Sequence, residues 1–131
     1  MLLDTSGLFS FFDKNDSRNS EAVSQVGKSD SLLTHSYVLA EFIPLCQVRG
    51  LNRSKTLEFV ETLLGNELIE IVWVDESLHL QAFRLLQDRL DKTYSICDAV
   101  SFIIMRERGV ATSLTTDKHF EQEGFIKLLK S

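Results

Sequence analysis

The chain has 131 residues, of which 44% are hydrophobic and 25% charged, and carries a formal net charge of −5. That length and balance suit one globular domain of ordinary soluble composition (residues 1–131) and exclude a protein that coats nucleic acid through bulk basicity. An enzyme that handles nucleic acid through metal ions and a local basic rim remains compatible with them.

Met1 is followed by Leu-Leu-Asp, with neither a basic leader nor an apolar h-region, so no signal peptide is expected. Leu2-Leu3 reads as a buried strand closed by Asp4. Thr5 and Ser6 then offer N-caps for a short apolar helix, Gly7 to Phe12. Asp13 to Asn19 reads as a polar turn. Glu21 to Lys28 reads as an amphipathic helix with Ala22, Val23 and Val26 inward. Leu32 to Thr34 is a short strand. Ser36 caps a helix from Tyr37 to about Arg49, ended by Gly50 and expected to kink at Pro44. Asn52 caps the next helix, Arg53 to Leu64, whose stripe is Leu57, Val60, Leu63 and Leu64. Ile69 to Val74 is rich in β-branched residues and reads as a central strand. Ser77 to Arg89 is amphipathic through Leu78, Ala82, Leu85 and Leu86, and Asp91 to Ser95 is a loop. Ile96 to Arg108 is a largely buried helix stopped by Gly109. Ala111 to Thr116 and Phe125 to Leu129 are strands.

This alternation predicts an α/β fold, a mostly parallel sheet with helices on both faces. The longest uncharged apolar stretch, Ala99 to Met105, is far too short to span a bilayer, so no membrane association is expected. Cys46 and Cys97 lie inside apolar helical patterns. They read as buried thiols suited to a reducing cytoplasm, not as a disulfide or metal pair.

Most of the nineteen acidic residues read as solvated surface charges, Glu58, Glu61, Glu67, Asp88 and Glu107 among them. Four do not. Asp4 and Asp117 each close a strand of one parallel sheet, so both point to its carboxyl edge, where open α/β sheets bind ligands. Asp98 begins a helix near that edge and shares a face with Ser101, Phe102 and Met105. Glu41 is flanked by apolar residues within its helix, on a face with Tyr37, Val38 and Leu45. Individually, Asp98 and Asp117 also read as helix N-caps, and Glu41 as the partner of a buried arginine. Together, four converging carboxylates repel unless a cation sits among them, and an all-oxygen donor set suits Mg²⁺ or Mn²⁺. Such a site activates water for in-line displacement at a phosphoryl group, as in nucleases. Thr5, Ser6, Thr115 and Thr116 are placed to orient the carboxylates. Lys118 with His119, Arg53 with Lys55, and Arg106 with Arg108 are candidates for a basic rim, the first pair for contact with substrate. His35 and His79 carry no signal.

Leu3-Asp4-Thr5-Ser6, Val38-Leu39-Ala40-Glu41, Tyr94-Ser95-Ile96-Cys97-Asp98-Ala99 and Thr115-Thr116-Asp117-Lys118-His119-Phe120 resemble, in order, the motifs of the PIN-domain nucleases. The similarity continues through Met105-Arg106-Glu107-Arg108-Gly109 and Glu123-Gly124-Phe125. The subgroup it resembles is the VapC-type toxins of toxin–antitoxin pairs. The resemblance implies a three-layer α/β/α fold and a Mg²⁺- or Mn²⁺-dependent ribonuclease acting on single-stranded RNA. It also implies Asp4, Glu41, Asp98 and Asp117 as the acidic quartet, a homodimer, and a cognate antitoxin. An apolar surplus at Tyr37, Phe42, Ile43, Phe59 and Val60 points to the same dimer.

Three readings from other classes compete. In a receiver-like phosphoacceptor, Asp75 after Ile71-Val72-Trp73-Val74 would be the acceptor, but Asp4 is followed by Thr5-Ser6 rather than by acids. A haloacid-dehalogenase-like phosphatase wants a second Asp where Ser6 stands. The third reading is a catalytically inactive PIN-like RNA-binding module, against which the intact quartet argues.

Overall fold

The computed structural model describes residues 1–131. The elements run β1 (Leu2–Leu3), α1 (Thr5–Phe12), α2 (Asn19–Lys28), β2 (Leu32–His35), α3 (Ser36–Val48) and α4 (Arg53–Gly65), then β3 (Ile69–Val72), α5 (Glu76–Gln87), α6 (Ile96–Arg108), β4 (Thr112–Leu114), α7 (Lys118–Gln122) and β5 (Ile126–Lys127). The five strands form one parallel sheet in the order β3-β2-β1-β4-β5.

Strand alternation sends successive side chains to opposite faces, and the core divides accordingly. Leu3 points into a cluster with Leu8, Phe9, Val38, Phe42 and Leu63, beneath α1 to α4. Leu2 points the other way, to Ala82, Val100, Phe102, Met105 and Phe120, beneath α5 to α7. The result is the expected three-layer α/β/α arrangement, with seven helices around the sheet.

Several details differ from the sequence reading. The Ile69–Val72 strand is an edge strand, not a central one, and its Glu70 is exposed. The α3 helix runs through Pro44 without a break; both Pro44 and Ala40, whose carbonyl loses its partner, face solvent. Val23, Leu57 and Leu64 are exposed rather than inward. The supposed surplus on α3 and α4 is largely core: Phe42 and Val60 are buried, and Phe59 stacks on Phe12 at 4.6 Å between ring centroids. Lys118 to Gln122, which carries no apolar stripe of its own, forms a helix because Asp117 caps it and Phe120 is fully buried.

Because chain order passes from β1 to β2 on one side and returns to β4 on the other, β1 and β4 are neighbours with different histories. The crevice outside their carboxyl ends is where such sheets hold ligands.

Candidate active site

Two sharp turns meet in that crevice. One leaves β1 at Asp4, and the other leaves β4 at Thr115. The Asp4 N–H donates to the Leu114 carbonyl at 3.2 Å, which continues the pairing to the mouth of the cleft. Thr115 Oγ1 donates to Asp4 Oδ2 at 2.7 Å and accepts the Asp117 N–H at 3.0 Å. With that single hydroxyl hydrogen committed to Asp4, Ser6 Oγ is the donor in the 3.2 Å contact with Thr115. The Thr116 N–H donates to Ser6 Oγ at 3.0 Å. Hydroxyls therefore stitch the two turns together and aim one carboxylate. Thr116 takes part through its backbone; its own hydroxyl orients no carboxylate, contrary to expectation.

Asp98 reaches the cleft from α6. Ser95, not Asp98, is the N-cap, and Asp98 closes a reciprocal capping box, accepting the Ser95 N–H at 3.0 Å. Asp117 caps α7 by accepting the His119 N–H at 2.9 Å. Both carboxylates thus cap helices and still face the cleft. Glu41 arrives from α3, exposed, and its Oε1 accepts the Thr5 hydroxyl at 2.9 Å rather than an arginine.

Asp4, Glu41, Asp98 and Asp117 all line a cleft of about 450 Å³, with Thr5, Ser6, Thr93, Ser95, Thr116 and His119 and a single apolar residue, Leu45. His119 Nδ1 lies 3.0 Å from Asp98 Oδ2 and 3.3 Å from Asp117 Oδ1, and its Nε2 lies 3.1 Å from Thr93 Oγ1. Ligand atoms of Asp98, Asp117 and His119 fall within 4.8 Å of one another. Lys118 is exposed and does not line the cleft.

The electrostatics follow from burial and crowding. Burial pushes the Asp4 carboxyl up to about 7, with the Asp98 and Asp117 charges adding to it against the Thr115 hydrogen bond. Burial, then the Asp117 charge, raises Asp98 too, while Ser95 and His119 oppose. Burial first, then the Glu41 and Asp4 charges, holds the Cys97 thiol far above its ordinary range. The neighbouring carboxylates thus add to burial at Asp4, Asp98 and Cys97. A cation would relieve that crowding, and the donors are carboxylate oxygens with hydroxyl support, the set that Mg²⁺ and Mn²⁺ prefer. The residues fit such an ion.

Other residues singled out from sequence lie elsewhere. Arg106 pairs with Glu123, and Arg108 with Glu70, and neither lines the cleft. Arg53 reaches Gln47. Asp75 caps α5 by accepting the Leu78 N–H at 2.8 Å and takes no part in the cleft, which removes the receiver-like reading's acceptor from the site. Sequence reasoning missed two groups. Glu123, with only 4% of its side chain exposed, binds Arg89 and Arg106 and accepts from Tyr94; those bonds overcome its burial and hold its carboxyl below the usual range. His35, fully buried at the end of β2, bonds Ser101 Oγ through Nε2 at 2.8 Å. The ion pairs of Glu123 and the Ser101 contact of His35 join distant parts of the chain and leave no local mark. Locally, His35 accepts the Val38 N–H at 3.4 Å and so is the N-cap of α3 in place of Ser36.

Residues 1–125 match the family model of the PIN domain. The chain is similar to the 23S rRNA-specific endonuclease VapC20 of Mycobacterium tuberculosis, 27% identical over 101 residues that make up 77% of this chain and 76% of the relative. The crystal structure of Mycobacterium tuberculosis VapC20, described as a sarcin–ricin loop cleaving toxin, superposes with a TM-score of 0.87 at 24% identity over 98% of each chain. That of FitAcB from Neisseria gonorrhoeae gives 0.64 at 18% identity over 96% of this chain and 94% of that one. These two structures share the fold. With an element order, an acid-lined crevice and a match that covers nearly its whole length, the chain belongs to the PIN-domain family.

Proposed function

We propose that the protein is a Mg²⁺- or Mn²⁺-dependent endoribonuclease that hydrolyses phosphodiester bonds of single-stranded RNA and serves as the toxin of a toxin–antitoxin pair. The observation that carries this reading is the convergence of Asp4, Glu41, Asp98 and Asp117 on one polar cleft, with Asp4 driven toward neutrality by burial and by its neighbours. The similarity to a 23S rRNA-specific endonuclease supports RNA as the substrate.

In this reading Asp4, Asp98 and Asp117 hold the ion, and Glu41 faces it across the cleft. When bound, the ion supplies an activated water and offsets the charge that builds on the phosphoryl group. Thr115 fixes the Asp4 carboxylate, Thr5 fixes Glu41, and the Ser95 backbone fixes Asp98, so the acids are aimed before substrate arrives. His119, on the rim beside Asp98 and Asp117, would donate to a phosphate oxygen of the bound strand. Lys118, one residue earlier and free in solvent, adds attraction for the strand.

The relative's description as a toxin supports a cognate antitoxin as partner. A cytoplasmic location suits two buried free thiols in a chain where no helix is long and apolar enough to cross a membrane. Two half-cores on either side of one sheet support residues 1–131 acting as one domain. A homodimer suits the exposed Trp73, Leu80 and Phe83.

Incubation of purified protein with single-stranded RNA oligonucleotides tests the reading. Cleavage is expected with Mg²⁺ or Mn²⁺, and none in chelator or with Asp4→Asn. Metal-independent cleavage, or an equally active variant, overturns it; binding without cleavage favours an inactive RNA-binding module instead.

A further inference from the structure

Glu41 lines two clefts. Beside the acid cleft lies a groove of about 280 Å³ formed by Tyr37, Ala40, Glu41, His79, Ile96 and Cys97. Its wall is an aromatic pair that ties α3 to α5: the Tyr37 hydroxyl meets His79 Nδ1, and the rings stand edge to face, 5.7 Å apart at 76°. Tyr37 is half-buried and so held in place; His79 is exposed, and its Nε2 has no partner in the protein.

A polynucleotide presents two chemistries per residue, a charged phosphodiester and a flat apolar base. The acid cleft suits the first and offers the second only Leu45. The groove is the reverse: apolar at Ala40 and Ile96, aromatic at its wall, with one free imidazole nitrogen at its edge. Unstacked bases of single-stranded RNA are held on such aromatic surfaces and read along their polar edges. Because Glu41 belongs to both clefts, a strand whose phosphate sits over the carboxylates has a neighbouring base within reach of the groove.

We infer that the Tyr37–His79 groove is a nucleobase subsite, which takes the base of a nucleotide flanking the scissile phosphate and thereby sets cleavage preference. This rests on the ribonuclease reading above.

The test takes the fastest-cleaved oligonucleotide from a random single-stranded RNA pool and places an abasic residue at each position in turn. For the wild type, one position next to the cleavage site is expected to lower kcat/KM by roughly tenfold. In His79→Ala and Tyr37→Leu that position should lose its effect, and intact RNA should be cleaved with a KM raised by a similar factor. The melting shift on adding Mg²⁺ should stay as in wild type. Tyr37→Phe, which keeps the ring, should retain the discrimination and guards against a folding defect. Variants that keep the wild-type abasic profile overturn the subsite while leaving the nuclease reading intact. A change of light-scattering mass in the variants, with RNA affinity unaltered, makes the groove a contact between copies and also overturns it. A wild type that binds Mg²⁺ but cleaves no RNA removes the nuclease reading and the subsite together.

Discussion

Asp4 stands at the N-cap of α1 and makes no side-chain cap. Its carboxylate is turned instead to Thr115 and into the cleft, where it is held up to about 7 by burial and then by its acidic neighbours. A carboxyl raised in this way binds more protons folded than unfolded, so it destabilises the metal-free protein progressively as pH rises from about 4 to 7. The cost is as much as about 4 kcal/mol at full ionisation. His35 works in the opposite sense: burial lowers it to about 4, so it charges more readily unfolded, and its contribution grows as pH rises to about 6.5. The two partly cancel in the wild type. Asp4→Asn should therefore become more stable relative to wild type as pH climbs from 4 to 7 in chelator. Urea titrations at stepped pH measure this slope, and parallel curves would refute it. Asp98→Asn keeps an acceptor for the Ser95 N–H and removes one charge from the cluster. We expect it to melt higher than wild type in chelator above pH 7, and to lose metal-dependent cleavage. Wild type should gain about 2.7 kcal/mol from Mg²⁺ at one hundred times its dissociation constant, and the variant much less. A variant that melts lower than wild type in chelator, with no Mg²⁺ shift in either protein, would make Asp98 a structural cap alone.

At the level of elements, the site depends on how closely α1 is pressed onto β4. A Cβ built on Gly7 would lie 1.8 Å from the Leu114 carbonyl oxygen, so only glycine allows this contact. That approach brings Ser6 within reach of Thr115 and Thr116. Gly7→Ala must push the helix off the strand. It should cost about 3 kcal/mol or more, at the upper end of overpacking, and lower activity by parting Asp4 from Thr115. Chemical denaturation reads the first effect, and a loss below about 1 kcal/mol would contradict the packing described. At the far side of the cleft, α7 is short and is anchored by Phe120 in the core and by Glu123 just beyond its end. The buried carboxylate there positions an element and lies outside the cleft.

For the whole molecule, a net charge of −5 repels a polyanion, so the ribonuclease reading requires affinity for RNA to come from an ion and local contacts rather than from the general field. Of the residues the sequence put forward for an interface, Phe42 and Val60 are buried, while Val48 on α3 and Leu57 and Leu64 on α4 are among the exposed apolar residues. Others are Trp73, which is 66% exposed, and Leu80 and Phe83 on one face of α5. A dimer through this face should scatter light at twice 14.9 kDa at micromolar concentration. Phe83→Glu should return it to the monomer mass without unfolding it. A wild type that scatters only as a monomer at that concentration excludes the dimer.

Residue order alone carried the local grammar. Period and caps placed most elements within a residue or two, as with Ile96–Arg108, stopped by Gly109 in the left-handed conformation. The strand-ending position of Asp4 and the helical face of Asp98 were legible because strand ends and helix starts are local features, whereas Asp117 lies beyond the end of β4, at Leu114, as the N-cap of α7. Long-range packing supplied the rest. The strand rich in β-branched residues went to the edge, since sheet order depends on which helices cover which face and leaves no local mark. Arg106 and Arg108 were taken up by Glu123 and Glu70, and Tyr37 met His79, across 17, 38 and 42 residues of chain. Periodicity reports what each segment buries. Which segment it is buried against is settled between distant parts of the chain, and the cleft and its neighbouring groove are built from those distant meetings.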